Sequence, residues 1–133
     1  MPLGAMKAGL EATLKPTLLD IAWAAAIIEG EGHMARVGDG PKCEIVTVTQ
    51  KNLWVLERFR EFFGGRIYAS PRLSGGRAVV PMWYTTGARA RGIILTVFTF
   101  LSPQKRQQAI RALGHVRGAL MEGRLALPEK VEA

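Results

Sequence analysis

Trp23-Ala-Ala-Ala-Ile-Ile-Glu-Gly-Glu-Gly32 decides how the rest of the chain is read. It is a run of small and apolar residues with helical spacing, closed by two carboxylates, Glu29 and Glu31, each followed by glycine. Ala22, Ala25, Ala26, Glu29 and Gly30 recur at i, i+3, i+4, i+7 and i+8, so one helix face holds nothing larger than a methyl group until the acids arrive. Such a face lets a second helix approach closely. The last turn of a helix also exposes unpaired carbonyls and the negative end of the macrodipole, a favourable place for a carboxylate to hold a cation. Taken alone, the stretch is equally an Ala-rich core helix closed by a glycine cap. The remaining segments decide between the two.

Working outward, residues 1–16 read as an N-terminal arm, with Pro16 marking the start of a helix over residues 17–31 that Gly32 ends. Residues 33–37 make a short strand, and Gly38-Asp-Gly-Pro41 is turn chemistry of the hairpin kind. The returning strand, residues 43–50, is rich in β-branched side chains. Its core face is expected to be Glu44, Val46 and Val48, with Glu44 reaching water near the strand's start. Residues 52–63 form an amphipathic helix with Leu53, Val55, Leu56, Phe59, Phe62 and Phe63 on its apolar face, stopped by Gly64-Gly65. A second hairpin follows over 66–70 and 78–86, with Pro81 suggesting an edge or a bulge. Residues 88–101 are helical, and Pro103 opens a last helix through Met121. Residues 17–122 are thus expected to be one domain, followed by a tail over 123–133.

This order, αββαββα-like, describes an α+β fold: antiparallel hairpins form a saddle-like sheet backed by helices, with the other face of the sheet left free. The chain's 133 residues suffice for one core without disulfides. Its single cysteine, Cys43, excludes an internal disulfide framework and any multi-cysteine zinc site, and suits a reducing compartment. The N-terminus lacks a signal peptide's pattern, and the longest apolar run, residues 21–28, is far below the roughly 20 residues of a spanning helix. A soluble, intracellular protein with no membrane partner is expected.

A net charge of +7 and a pI near 10.2 point to a polyanionic partner. On the free face, Arg66, Tyr68 and Ser70 alternate on one strand of the second hairpin, and Met82, Tyr84 and Thr86 on the other; Arg72 and Arg77 lie in the loop between. A twisted ribbon bearing arginine, tyrosine and hydroxyl groups can enter the major groove of double-stranded DNA, reading base edges with its middle and touching phosphates with its ends. Ile45 and Thr47 are placed to meet thymine methyl groups, and Arg36 and Lys51 complete the expected DNA-contacting set. A merely solvated sheet face is the plainer alternative.

Ala24-Ala-Ala-Ile-Ile-Glu-Gly-Glu-Gly32 resembles the nine-residue motif of the LAGLIDADG homing endonucleases. Ile27-Ile28, Glu29, Gly30, Glu31 and Gly32 match the pattern, while Ala24 stands where the motif has leucine and Ala26 where it has glycine. Val46-Thr-Val-Thr-Gln-Lys-Asn52 resembles the family segment that carries a polar side chain near the attacking water, here Gln50. Leu101-Ser-Pro-Gln-Lys-Arg-Gln-Gln108 resembles the segment that contributes an active-site lysine, here Lys105.

The resemblance implies a site-specific double-strand DNA endonuclease with Glu31, Gln50 and Lys105 as catalytic residues. Glu31 and a backbone carbonyl near Gly32 would hold Mg²⁺, with Mn²⁺ as a substitute, and no organic cofactor is expected. With one motif per chain, family precedent implies a homodimer on a near-palindromic site, joined across Ala22, Ala25, Ala26 and Glu29. The rival readings are a non-catalytic DNA-binding regulator or intron-RNA splicing partner on the same fold, and a basic α+β RNA-binding module. His33 and His115 have no ligand-like spacing and read as structural.

Overall fold

Thr17 starts the first helix with a reciprocal cap. In the computed structural model, which describes residues 11–38, 41–68 and 80–114, its hydroxyl accepts from the Asp20 N–H and the Asp20 carboxylate accepts from the Thr17 N–H at 2.8 Å. Helix α1 (Leu18–Glu31) then runs to Gly32, whose N–H donates to the carbonyl of Ile28. A Cβ on Gly32 would lie 2.7 Å from the Ile28 Cα and 2.8 Å from its carbonyl oxygen. Only glycine therefore lets the helix pass directly into strand β1 (Gly32–Val37).

Strand β2 (Cys43–Thr49) returns antiparallel to β1, and α2 (Leu53–Phe63) follows, capped by the Asn52 side chain on the Trp54 N–H. Strands β3 (Arg66–Tyr68) and β4 (Met82–Thr86) pair antiparallel, and β4 also pairs with β2. The sheet order is β1-β2-β4-β3. Helix α3 (Gly87–Val97), a 3-10 turn (Phe98–Phe100) and α4 (Pro103–Leu113) complete the described fold. The architecture is α+β, as expected, with α3 beneath β2, α4 beneath β1 and α2 against β3 and β4.

Period-two alternation sends Met34, Val46, Val48 and Trp83 to the helix-covered face, where they meet Ala24 and Ile28 of α1, Leu56 and Phe59 of α2, and Ile94 and Val97 of α3. Phe59 lies with its ring 4.9 Å from that of Trp83 and 5.6 Å from that of Trp23. Burying one such side chain contributes about 1.5–3 kcal/mol. The Trp83 indole N–H, fully buried, donates to the Gly64 carbonyl at 2.8 Å, so no polar atom is stranded in the aromatic cluster.

The structure corrects several details. Glu44 is on the core face as expected, yet it does not reach water: its side chain is 1% exposed and is held by Arg91 at 3.1 Å and Arg36 at 3.4 Å. Leu53 is exposed, while Val55 and Leu56 of the same turn are buried. Pro81 precedes β4 rather than interrupting it, and β4 is a central strand. Helix α4 ends at Leu113, where Gly114 takes φ +49°; residues 115–121 of the expected helix lie outside the described residues. Part of the expected arm is tied down, the N–H groups of Thr13 and Leu14 both donating to the Glu61 carbonyl near the end of α2.

Candidate functional site

Residues directly opposite each other in an antiparallel ladder point to the same face, so the register maps the free side of the sheet. His33, Thr47, Tyr84 and Arg66 stand in one row across all four strands. Ala35, Ile45 and Thr86 form the row on one side of it, and Thr49, Met82 and Tyr68 the row on the other. These rows alternate with the buried Met34, Val46, Val48 and Trp83, and they carry hydroxyl, aromatic and cationic groups away from the helices. Ile45, Thr47, Arg66, Tyr68, Met82 and Tyr84 therefore share one open face, while Ser70, Arg72 and Arg77 lie outside the described residues.

His33, expected as a structural strand residue, lies in β1 and joins this face. Strand parity was the available signal: Gly32 opens the strand, Met34 is the apolar residue, and His33 must point the other way. Arg36 is a correction in the opposite sense. It pairs with Glu44 in the register, lies on the helix side, and donates to Glu44 at 3.4 Å, to the Leu113 carbonyl at 3.5 Å and to the Lys42 carbonyl at 3.0 Å. Its guanidinium belongs to the scaffold at the β1 edge, not to the open face.

Three of the candidate residues arrive at one end of the sheet. Gly32 is level with Val48, so Glu31 precedes the strand opposite Thr49, and Gln50 follows Thr49 directly. The Gln50 N–H donates to the Pro81 carbonyl at 3.2 Å, and its side-chain oxygen accepts from the Asn52 N–H at 3.4 Å. Lys105, in the first turn of α4, extends its ammonium to the Gly32 carbonyl at 2.7 Å. Exposed Lys51 stands beside Gln50 at the same end.

This geometry alters two expectations. The Gly32 carbonyl already accepts from the Lys105 ammonium, which leaves it a second lone pair rather than a wholly free oxygen for a metal ion. Among the described residues no three His, Cys, Asp or Glu side chains gather to hold a metal. Glu31 is exposed and offers a hard carboxylate beside the unpaired carbonyls of the helix's last turn. These donors suit Mg²⁺ in part, and its remaining ligands would come from outside the chain.

The small face of α1 is also divided. Ala25 is fully buried within its own chain, and Glu29 turns to α4, where its carboxylate accepts from the Ser102 N–H at 2.7 Å and the Ser102 hydroxyl at 2.8 Å. The Ser102 N–H, together with the Ser102 hydroxyl and the charge of Lys105, holds the Glu29 carboxyl below the usual carboxylate range against the cost of desolvation. Half-buried Ala22 and exposed Ala26 remain on the outside, between Leu19, 82% exposed, and Gly30, where an added Cβ would meet nothing within 4 Å. The helix is rotated toward its own core by the buried Ala24, Ala25 and Ile28, a turn that alanine composition alone does not reveal.

The same arrangement of helices and sheet occurs in solved proteins. The homing endonuclease I-CvuI in complex with its target in the presence of 2 mM Ca superposes with a TM-score of 0.54 at 17% identity, covering 86% of this chain and 87% of that one. The chain has the homing endonuclease fold. I-CvuI in complex with the I-CreI target in 2 mM Mg, its DNA not cleaved, gives a TM-score of 0.56 at 18% identity over 86% of each chain. The group I intron-encoded homing endonuclease I-CeuI, complexed with DNA, gives 0.51 at 16% identity over 82% of this chain and 60% of its own. No family model and no curated protein matches the chain. Among the described residues, no helix of this homing endonuclease fold is long and apolar enough to cross a membrane.

Proposed function

We propose that the chain is a single-motif LAGLIDADG endonuclease that cuts both strands of a long, near-palindromic DNA site as a homodimer. The observation that carries this reading is that Glu31, Gln50 and Lys105 share one end of a sheet whose open face bears Thr47, Arg66, Tyr68 and Tyr84. The likeness to homing endonucleases solved on DNA supports it, as does the net charge of +7.

Each chain residue has a defined task in this reading. Glu31 supplies the carboxylate that would hold Mg²⁺ or Mn²⁺. When bound, such a cation supplies charge neutralisation at the scissile phosphate and a water more acidic than bulk. Gln50 orients the attacking water through its amide. Lys105 opposes the negative charge that grows on the phosphate oxygens as the bond breaks. The middle of the open face, at Thr47 and Tyr84, reads base edges, and Lys51 and Arg66 meet phosphates at the margins.

One chain brings one Glu31, so cutting two strands takes two copies. The outward strip of Leu19, half-buried Ala22, Ala26 and Gly30 is the surface on which the mate would pack, its small residues letting the helix backbones come close. That contact would bring the two helix ends together at the centre of the DNA site.

Selection of cleaved sites from a randomised, near-palindromic duplex library tests the proposal. Specific double-strand cuts in Mg²⁺, absent in Ca²⁺, are expected. Sequence-selective binding without cleavage in either Mg²⁺ or Mn²⁺ would instead leave a non-catalytic DNA-binding or splicing protein on the same fold.

A further inference from the structure

The ends of α1 and α4 are joined by a closed circuit of hydrogen bonds. Glu29 accepts both the N–H and the hydroxyl of Ser102, at 2.7 and 2.8 Å. Having given its single proton to Glu29, the Ser102 oxygen accepts the backbone N–H of Lys105 at 3.2 Å, which caps α4. Lys105 then reaches back with its ammonium to the Gly32 carbonyl at 2.7 Å. The circuit closes through Gly30 and Glu31, the two residues that separate Glu29 from Gly32.

An acid at the C-terminal end of a helix sits against the negative pole of its own macrodipole. Nothing in the packing of α1 requires one at position 29, since alanine fills the turns before it. The positive N-terminal end of α4 offsets that unfavourable placement, and Ser102 supplies two donors to one carboxylate. A lysine head on a flexible four-carbon stem otherwise samples many rotamers. Here its backbone root is fixed by the Ser102 cap and its head by the Gly32 carbonyl.

We infer that Glu29 is a positioning residue: by seating the first turn of α4 on the end of α1 it holds the Lys105 ammonium at the Gly32 carbonyl, one residue along the chain from Glu31. Its catalytic meaning rests on the nuclease reading above, while its geometric content does not. Glu29 touches neither the reacting phosphate nor the cation in this scheme. It acts through Ser102 and Lys105.

The test pairs a chemical footprint with kinetics. In the full chain, acetic anhydride is expected to modify Lys105 more slowly than the exposed Lys15, Lys42 and Lys51. Glu29→Gln should raise the Lys105 rate about tenfold, the scale of one lost charge-assisted hydrogen bond, and leave the other three unchanged. The same substitution should slow single-turnover cleavage about tenfold without weakening DNA binding measured in Ca²⁺. Added to Lys105→Met, it should slow cleavage no further, because both changes remove one function.

Ser102→Ala should reproduce the Glu29→Gln footprint and Ser102→Thr should restore the wild-type one, so the outcome does not depend on one variant folding. An unchanged Lys105 rate in both Glu29→Gln and Ser102→Ala overturns the inference, whatever happens to cleavage. Additive losses in the Glu29→Gln, Lys105→Met double variant overturn it as well. A wild-type protein that cuts no DNA would sink the nuclease reading alone, and the footprint would still decide this one.

Discussion

The Lys105 ammonium rests 2.7 Å from the carbonyl oxygen of Gly32, the residue that turns α1 into β1 and follows Glu31. Seventy-three positions of sequence separate the two partners, and the contact puts a fixed positive charge at the root of the exposed carboxylate.

Lys105→Met should therefore cut the DNA cleavage rate by about 10²-fold, in the range lost with a single electrostatic contributor to the transition state. Affinity for the same duplex, measured by fluorescence anisotropy in Ca²⁺, should stay at the wild-type value. A matching loss of affinity would place Lys105 in binding instead.

Gly65 has φ +90°, and a Cβ there would lie 2.7 Å from the Tyr84 carbonyl oxygen and 2.9 Å from the Trp83 indole nitrogen. Gly65→Ala should destabilise the fold by about 2–3 kcal/mol in urea unfolding, the cost of a strained backbone plus displaced β4 atoms. Wild-type stability in this variant would contradict the close approach of β3 and β4.

Burial raises the Glu44 carboxyl, but the Arg91 hydrogen bond and the charges of Arg91 and Arg36 outweigh it and hold the group below its ordinary value of 4.5. A depressed folded value means that the contribution to stability is present above about pH 4.5 and is lost as pH falls through the folded value. Thermal melts from pH 7 to 3 should show the wild type losing stability more steeply than Glu44→Gln below about pH 4.5. At pH 7 the substitution should cost about 3 kcal/mol, because two arginines lose a buried anion.

Arg66 and Arg36 should separate cleanly. Arg66→Ala removes an exposed cation from the open face and should lower the salt dependence of DNA binding by about one unit of log–log slope. Arg36→Ala should leave that slope unchanged and lower the melting temperature, since its guanidinium serves Glu44 and two backbone carbonyls. Equal slopes for Arg66→Ala and the wild type would remove Arg66 from the phosphate contacts.

The elements were legible in the sequence because their signals are local: Pro16 ahead of the first helix, the β-branched run over Cys43–Thr49, and the glycines at 32 and 64. Alternation also predicted the open face from Ile45 to Tyr84. Arg36 was misread because arginine on a strand resembles a solvated contact, and only the cross-strand partner, Glu44, turns it inward. The inner acid itself is explained by Arg91, forty-seven residues away, which no local pattern announces. Ala25 and Glu29 turn to their own chain for a related reason. An Ala-rich helix has weak amphipathicity, so its rotation is set by partners such as Ser102 rather than by its own sequence.

Ala26→Arg probes the proposed mate. Ala26 is exposed on α1 between Leu19 and Gly30, so a charged side chain there should convert a dimer to a monomer in sedimentation equilibrium without lowering the melting temperature of the monomer fold. Persistence of the dimer would move the interface off α1.

The most direct measurement is single-turnover cleavage of the selected duplex in Mg²⁺ by the wild type and by Glu31→Gln, with binding of each measured in Ca²⁺. Specific double-strand cuts by the wild type, none by Glu31→Gln, and equal affinity for both are expected. Cleavage that survives Glu31→Gln, or a wild type that binds its site and never cuts it, would contradict the account.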